Sequence, residues 1–399
     1  MKHVLNRNIC GTLLYLFNQM IKEKEEIYYI YDPEKEYNLD SFDEISFDKI
    51  KQLFDAHGKE HFFDNGDQNK FYQNDQEGII RCQHAFSLYL LGIYCYTKIP
   101  RIQEAFKSFL DNLYIGYNQD IEKGAEREEN NYYKNFLYLW YPTALYHDMG
   151  YYYEYLSEEN DQSKRYSEAI QSGKIMDKDY FGFIDNSPGI PKQLKDISQL
   201  YFQKRLEGHF FTDNACIDHG FAGGLELYKQ MRRVHCQDDD PSNMSFYPWM
   251  GLKYGTPIFK WFNTTSAWAI TCHNIYMEKD TKDNIDKVDK YIKAGFKCIT
   301  YDENKSFINI KEHPLLFLLD FVDTIDPVKR FGLDSLNYYM LEESDANSLH
   351  LHIVDCSEDS RLNANPILNK LNSNIGFLKS DSFNVQMDEA QDTIIFSFK

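Results

Sequence analysis

The stretch "LYHDMGYYYE", residues 145–154, decides how this chain is read. His147 and Asp148 stand side by side after an apolar run, followed by Met149, Gly150 and a tyrosine-rich segment. Such a pair is either a metal-holding dipeptide or a polar couple near a helix end. The choice depends on whether the chain sets other histidines and aspartates in similar surroundings.

Around the dipeptide, the chain from about 78 to 330 reads as mostly helical. Apolar residues recur at helical spacing in "IIRCQHAFSLYLLGIYCY" (79–96), "RIQEAFKSFLDNLY" (101–114), "NFLYLWYPTALYHDMGYYYEYL" (135–156) and "QLKDISQLYFQKRL" (193–206). The same spacing continues in "ACIDHGFAGGLELYKQMRRV" (215–234), "TTSAWAITCHNIYM" (264–277) and "HPLLFLLDFVDTI" (313–325). Two long connections, near 158–190 and 236–258, are placed to cover a site. Residues 1–77 read as a peripheral layer, chiefly helical. After residue 330 the texture changes: "SLHLHIVD" (348–355), "SFNVQMDE" (382–389) and "DTIIFSFK" (392–399) read as strands, with a short helix at "NPILNKLNSN" (365–374). The expected fold class is mainly α: a helical core over 78–330 with a small C-terminal α/β appendage over 331–399.

The totals narrow the function classes. Sixty-two acidic residues against 43 basic ones leave a net charge of −19, which repels phosphate backbones and anionic lipid. General nucleic-acid binding and membrane binding are therefore not expected. No apolar run approaches the roughly 18 residues of a membrane span. The eight cysteines form no CxxC pair, and several lie in apolar runs, so reduced thiols and a cytoplasmic location are expected. The basic start "MKHVLNRNICGTLLYLFNQM" runs into "IKEKEE" without a small-residue cleavage site and reads as a helix.

Several standard catalytic motifs are absent: GxxxxGK[ST], GxSxG, HExxH and GxGxxG do not occur. "HGKEH" (57–61) pairs His57 with His61 at i,i+4 without a third ligand nearby and reads as a surface or partly packed pair. What remains is a set of six residues in apolar contexts: His84, His147, Asp148, His219, His273 and Asp323. A lone histidine of this kind is usually a satisfied core residue. Buried carboxylates are different, because an unpaired charge is costly, so Asp148 and Asp323 each call for a partner. One shared metal centre satisfies all six.

The order of these words resembles the HD-domain superfamily of metal-dependent phosphohydrolases. "RCQHAFSLYLLG" resembles its first ligand helix, with Arg81 three residues before His84, and "LYHDMG" carries the dipeptide. "DHGFAGG" resembles the stretch around the next histidine, "HN" (273–274) ends an Ala-rich helix, and "PLLFLLDFVDTID" resembles the closing helix. The resemblance implies a helical bundle in which His84, His147, Asp148 and Asp323 bind a first metal. Asp148 would bridge to a second, completed by His219 and His273. The family's spacing selects Asp323, nine residues after Pro314; Asp326 matches a second acidic position, and Asp320 is the fallback ligand. Four imidazoles with two carboxylates favour one or two divalent transition metal ions (Fe, Mn, Co, Ni or Zn) over Mg. Gly223 and Gly224, with Ala267 and Ala269, would let helices approach closely.

The implied chemistry is hydrolysis of a small phosphorylated substrate, a nucleotide or another metabolite, by a metal-bridging hydroxide. Asp148 is the central catalytic candidate. Anion-holding candidates are Arg81, Lys164, Arg165, Lys329 and Arg330, with Arg81 first because it is one turn from His84. Many two-metal members follow the dipeptide with x-G-K, whereas here Met149, Gly150 and Tyr151 follow, which argues against the diguanylate-phosphodiesterase and inositol-oxygenase branches. Tyrosines 151–153 and 155 pack a core or lid, or line the pocket. Two other functions fit the same residues: a non-catalytic scaffold that binds a ligand and signals through 331–399, and a mixed-valence di-iron oxygenase. The substrate's identity and the oligomeric state are left open.

Overall fold

The computed structural model describes residues 76–120, 132–152, 219–220, 222–224, 226–228, 257–273, 310–311, 313–326, 329, 339–345, 347–353, 383–387 and 393–398. These residues are mostly helical, with a small antiparallel sheet. The expected peripheral helices of 1–77 (apart from 76–77), the His57/His61 pair, the helices at 193–206 and 365–374 and the two long connections lie outside the described residues. So do Lys164, Arg165 and Arg330.

Among the described residues five helices run α1 (Gln76–Lys98), α2 (Pro100–Asp120), α3 (Tyr132–Tyr146), α4 (Pro257–Cys272) and α5 (Pro314–Ile325). A further helical stretch covers 219–220, 222–224 and 226–228. Three helices begin on proline, whose fixed φ suits the first helical position and whose missing N–H costs nothing there. Pro100 thus ends α1 as it opens α2. The orphan carbonyls at that junction are met locally: Thr97 donates to the Tyr94 carbonyl at 3.0 Å, and Gln103 Nε2 donates to the Thr97 carbonyl at 3.1 Å.

The chain divides into two compact units. One holds 1–105, 248–251 and 320–399, the other 106–247 and 252–319. In the second unit, Phe106 meets Phe136 edge-on at 5.0 Å between centroids, and Phe136 stacks on Trp140 at 6.3 Å. Pro142 lies inside α3 and cannot donate to the Tyr138 carbonyl. Beside this gap the Leu139 carbonyl accepts two hydroxyls, Thr143 at 2.7 Å and Ser266 of α4 at 3.1 Å, which ties α4 to α3.

In the first unit, a four-stranded antiparallel sheet runs in the order β1 (Tyr339–Asp345), β2 (Ser348–Ile353), β4 (Thr393–Phe398), β3 (Phe383–Met387). Leu349 pairs with Phe396 and Leu351 with Ile394, so one face gathers buried Leu349, Leu351, Ile394, Phe396, Phe398 and Phe383. Phe321 of α5 packs into that face, edge-on to Phe383, Phe396 and Phe398 at 5.6, 5.0 and 5.6 Å. Three strands fall where the alternation predicts them. β1, "YMLEESD", is an addition: its three acidic residues break the apolar pattern, and its pairing with β2 at the sheet's edge supplies what the pattern lacks.

His313 immediately precedes Pro314; its carbonyl accepts the Phe317 N–H at 2.9 Å, and its ring lies 5.7 Å from that of Trp268. Burial lowers its pKa from 6.5 to about 4, because the charged ring would lose its hydration. The neutral ring is favoured in the folded state. Stability is therefore lost as pH falls from the unfolded value of 6.5 towards about 4 and regained as pH rises through that window. Urea titrations of wild type and His313→Gln should diverge across that window. The wild type should lose about 3 kcal/mol more than the variant between pH 7.5 and 4; parallel curves would contradict this account.

Candidate metal centre

The second unit brings together His147, Asp148, His219 and His273, all buried. His147 follows α3 directly. Its N–H continues the ladder to the Thr143 carbonyl, after which the chain tightens into a turn closed by Met149 N–H to the Tyr146 carbonyl. The dipeptide thus lies just past a helix end, although the sequence pattern placed it inside a longer helix. His273 stands in the same position after α4.

Both histidines use this position in the same way. His147 Nδ1 lies 2.6 Å from the Ala144 carbonyl, and His273 Nδ1 lies 2.5 Å from the Ile270 carbonyl. A carbonyl oxygen can only accept, so each Nδ1 carries the proton and donates it. Each bond engages a carbonyl of the last helical turn, that of Ile270 also accepting the His273 N–H at 3.4 Å, and fixes the ring. In the neutral ring, Nε2 is then the lone-pair nitrogen, the form that binds metals, and donation of the other N–H to a backbone carbonyl is the usual support of a metal-ligating histidine.

Asp148 Oδ1 lies 3.2 Å from His147 Nε2 and 3.6 Å from His219 Nε2. A carboxylate oxygen and an imidazole lone pair repel each other unless a proton or a metal cation lies between them. Ring centroids of His147 and His219 lie 5.4 and 5.3 Å from that of His273. One carboxylate cannot neutralise three imidazolium rings in a buried space, whereas a divalent cation suits one carboxylate and several neutral imidazoles. Ligand atoms of Asp148, His219 and His273 all lie within 4.8 Å of one another, and this group could hold a metal ion. Burial, with Glu226 and Tyr141 adding to it, holds the hydroxyl of the neighbouring Tyr146 well above its ordinary range. Tyr151 stacks on the His219 ring at 3.7 Å between centroids, so it braces a candidate ligand.

Small residues make this convergence possible. A Cβ on Gly150 would strike the His219 carbonyl oxygen and come within 2.7 Å of the Gly223 nitrogen. One on Gly224 would strike the Thr271 hydroxyl and lie 2.5 Å from the Ala267 carbonyl oxygen. Gly223 faces the Tyr146 carbonyl and Gly220 the His273 ring at similar range. The backbones carrying His147, His219 and His273 are thus in contact, as the small residues at 223, 224 and 267 led one to expect.

The first unit holds a second buried group. His84, on α1, sits between two carboxylates at the end of α5: Nδ1 is 2.5 Å from Asp326 Oδ2, and Nε2 is 2.9 Å from Asp323 Oδ1. Ser87, one turn along α1, donates to Asp326 Oδ1 at 2.8 Å, so Asp326 orients His84 while itself held from two sides. Lys329 Nζ donates to Asp323 Oδ1 at 2.6 Å. A neutral ring has one N–H for two carboxylates, so the second contact again requires a further proton or a cation.

Asp323, not the fallback Asp320, meets His84; Asp320 is buried one turn earlier on α5. Arg81 is partly buried one turn before His84. Lys329, weighed as an anion holder, is placed on Asp323. Ser87 and the helix-end carbonyls were missed; Ser87's i,i+3 spacing from His84 was the available signal.

Introducing Gly150→Ala should force the turn after His147 away from the segment bearing His219. About 1–3 kcal/mol of stability should be lost on chemical denaturation, and a wild-type stability would show that the backbones are not packed this closely. Comparisons with family models, curated proteins and solved structures gave no match.

Proposed function

We propose that this protein is a metal-dependent phosphohydrolase of the HD-domain kind, acting on a nucleotide or another small phosphorylated metabolite. The observation that carries the proposal is the contact of His147 and His273 with backbone carbonyls through Nδ1, which makes Nε2 the lone-pair nitrogen of each neutral ring, grouped with the buried carboxylate of Asp148. The order of the sequence words adds His84 and Asp323 to the same centre, with Asp148 shared between two ions.

Divalent cations held there would polarise phosphoryl oxygens and make a bound water acidic near neutral pH. The protein's part is to hold ligands in rigid positions. The Ala144 and Ile270 carbonyls fix His147 and His273, Tyr151 braces His219, and Ser87 with Asp326 fixes His84. The donor set, four imidazoles and two carboxylates, suits transition metals better than Mg. Arg81, one turn before His84, is the candidate for a phosphate oxygen of the substrate.

Metal analysis of purified variants tests this reading. Asp148→Ala should lose both ions and hydrolysis across a panel of nucleotides and sugar phosphates, while His219→Ala should lose mainly one ion. Equal metal content in wild type and Asp148→Ala would contradict the shared ligand; a metal-replete wild type inert on the whole panel would contradict the hydrolase.

A further inference from the structure

The Oδ1 atom of Asp323 receives two contacts: Lys329 Nζ at 2.6 Å and His84 Nε2 at 2.9 Å. The Lys329 side chain is only 10% exposed and that of Asp323 2%. Lysines usually extend their ammonium into water; one that withdraws it this far does so for a specific anion. The oxygen it covers belongs to a carboxylate assigned above as a metal ligand. A divalent ion bonds a carboxylate oxygen at about 2.0–2.2 Å, so with Lys329 in place the two cations would lie at most about 5 Å apart. They would compete, together with the His84 ring, for the lone pairs of one oxygen, and the four-carbon stem of lysine gives the ammonium freedom to leave.

We propose that Lys329 is a resident counter-cation that exchanges with a metal ion at Asp323. Its ammonium neutralises the carboxylate when no ion is bound, withdraws when an ion arrives, and then offers its charge to a phosphate group beside that ion. This rests on the metal-centre reading above. It adds to that reading a residue that opposes metal loading and favours anion binding.

The test uses the full chain, Mn2+ alone and inorganic phosphate, with Lys329→Met as the variant because it keeps the apolar stem and removes the charge. Competition titration should show Lys329→Met binding Mn2+ about tenfold more tightly than wild type, and the Mn2+-loaded variant should bind phosphate about tenfold more weakly. A merely structural ion pair would not move the two affinities in opposite directions. In wild type, acylation of Lys329 followed by mass spectrometry should rise several-fold on adding Mn2+, a readout that holds even if the variant fails to fold. Unchanged or weaker Mn2+ affinity, undiminished phosphate affinity, or acylation insensitive to Mn2+ would each overturn the exchange. If wild type binds Mn2+ and Asp148→Ala does not, such a result removes the exchange and leaves the metal centre standing; if wild type binds no Mn2+, both are overturned.

Discussion

A backbone carbonyl cannot donate a hydrogen bond, and from that constraint the candidate site follows. Because His147 and His273 face the carbonyls of Ala144 and Ile270 through Nδ1, their protons are fixed there. Their Nε2 atoms are therefore available as donors to a cation, in a space that also holds Asp148 and His219. Desolvated charge must be balanced, and the local inventory of one carboxylate among three imidazoles is balanced naturally by a metal ion.

The same device appears at two helix ends, which explains how one sequence aligns candidate ligands from distant segments. A helix leaves its last carbonyls without partners, and a histidine placed three residues beyond such a carbonyl satisfies it while directing its other nitrogen away. Glycines at 150, 220, 223 and 224 then allow the backbones to touch, so the spacing of the histidines is set by main-chain contact rather than by long side chains. Around His84 the logic differs. There side chains do the positioning, through Ser87 and Asp326 on one ring nitrogen and Asp323 on the other.

Much of this was legible in the sequence. The apolar periodicity marks α1 to α5, and three of the four strands are visible in their alternation. His84, His147, Asp148, His219, His273 and Asp323 stood out because each polar residue interrupts an apolar run, and each proves buried. Other features were not legible, for physical reasons. That His147 and His273 lie beyond their helices depends on where the hydrogen-bond ladder stops, which hydrophobic spacing does not record. β1 is held by pairing with β2 rather than by its own composition. Lys329 stands out in the sequence only as an anion-holding candidate, because its contact with Asp323, six residues away, is not recorded by apolar spacing.

The most direct test of the central claim is anomalous diffraction from crystals of the full chain grown with Mn2+. The account predicts an anomalous peak held by Asp148, His219 and His273. A map without a peak at Asp148, with its carboxylate paired to a protonated histidine instead, would contradict it.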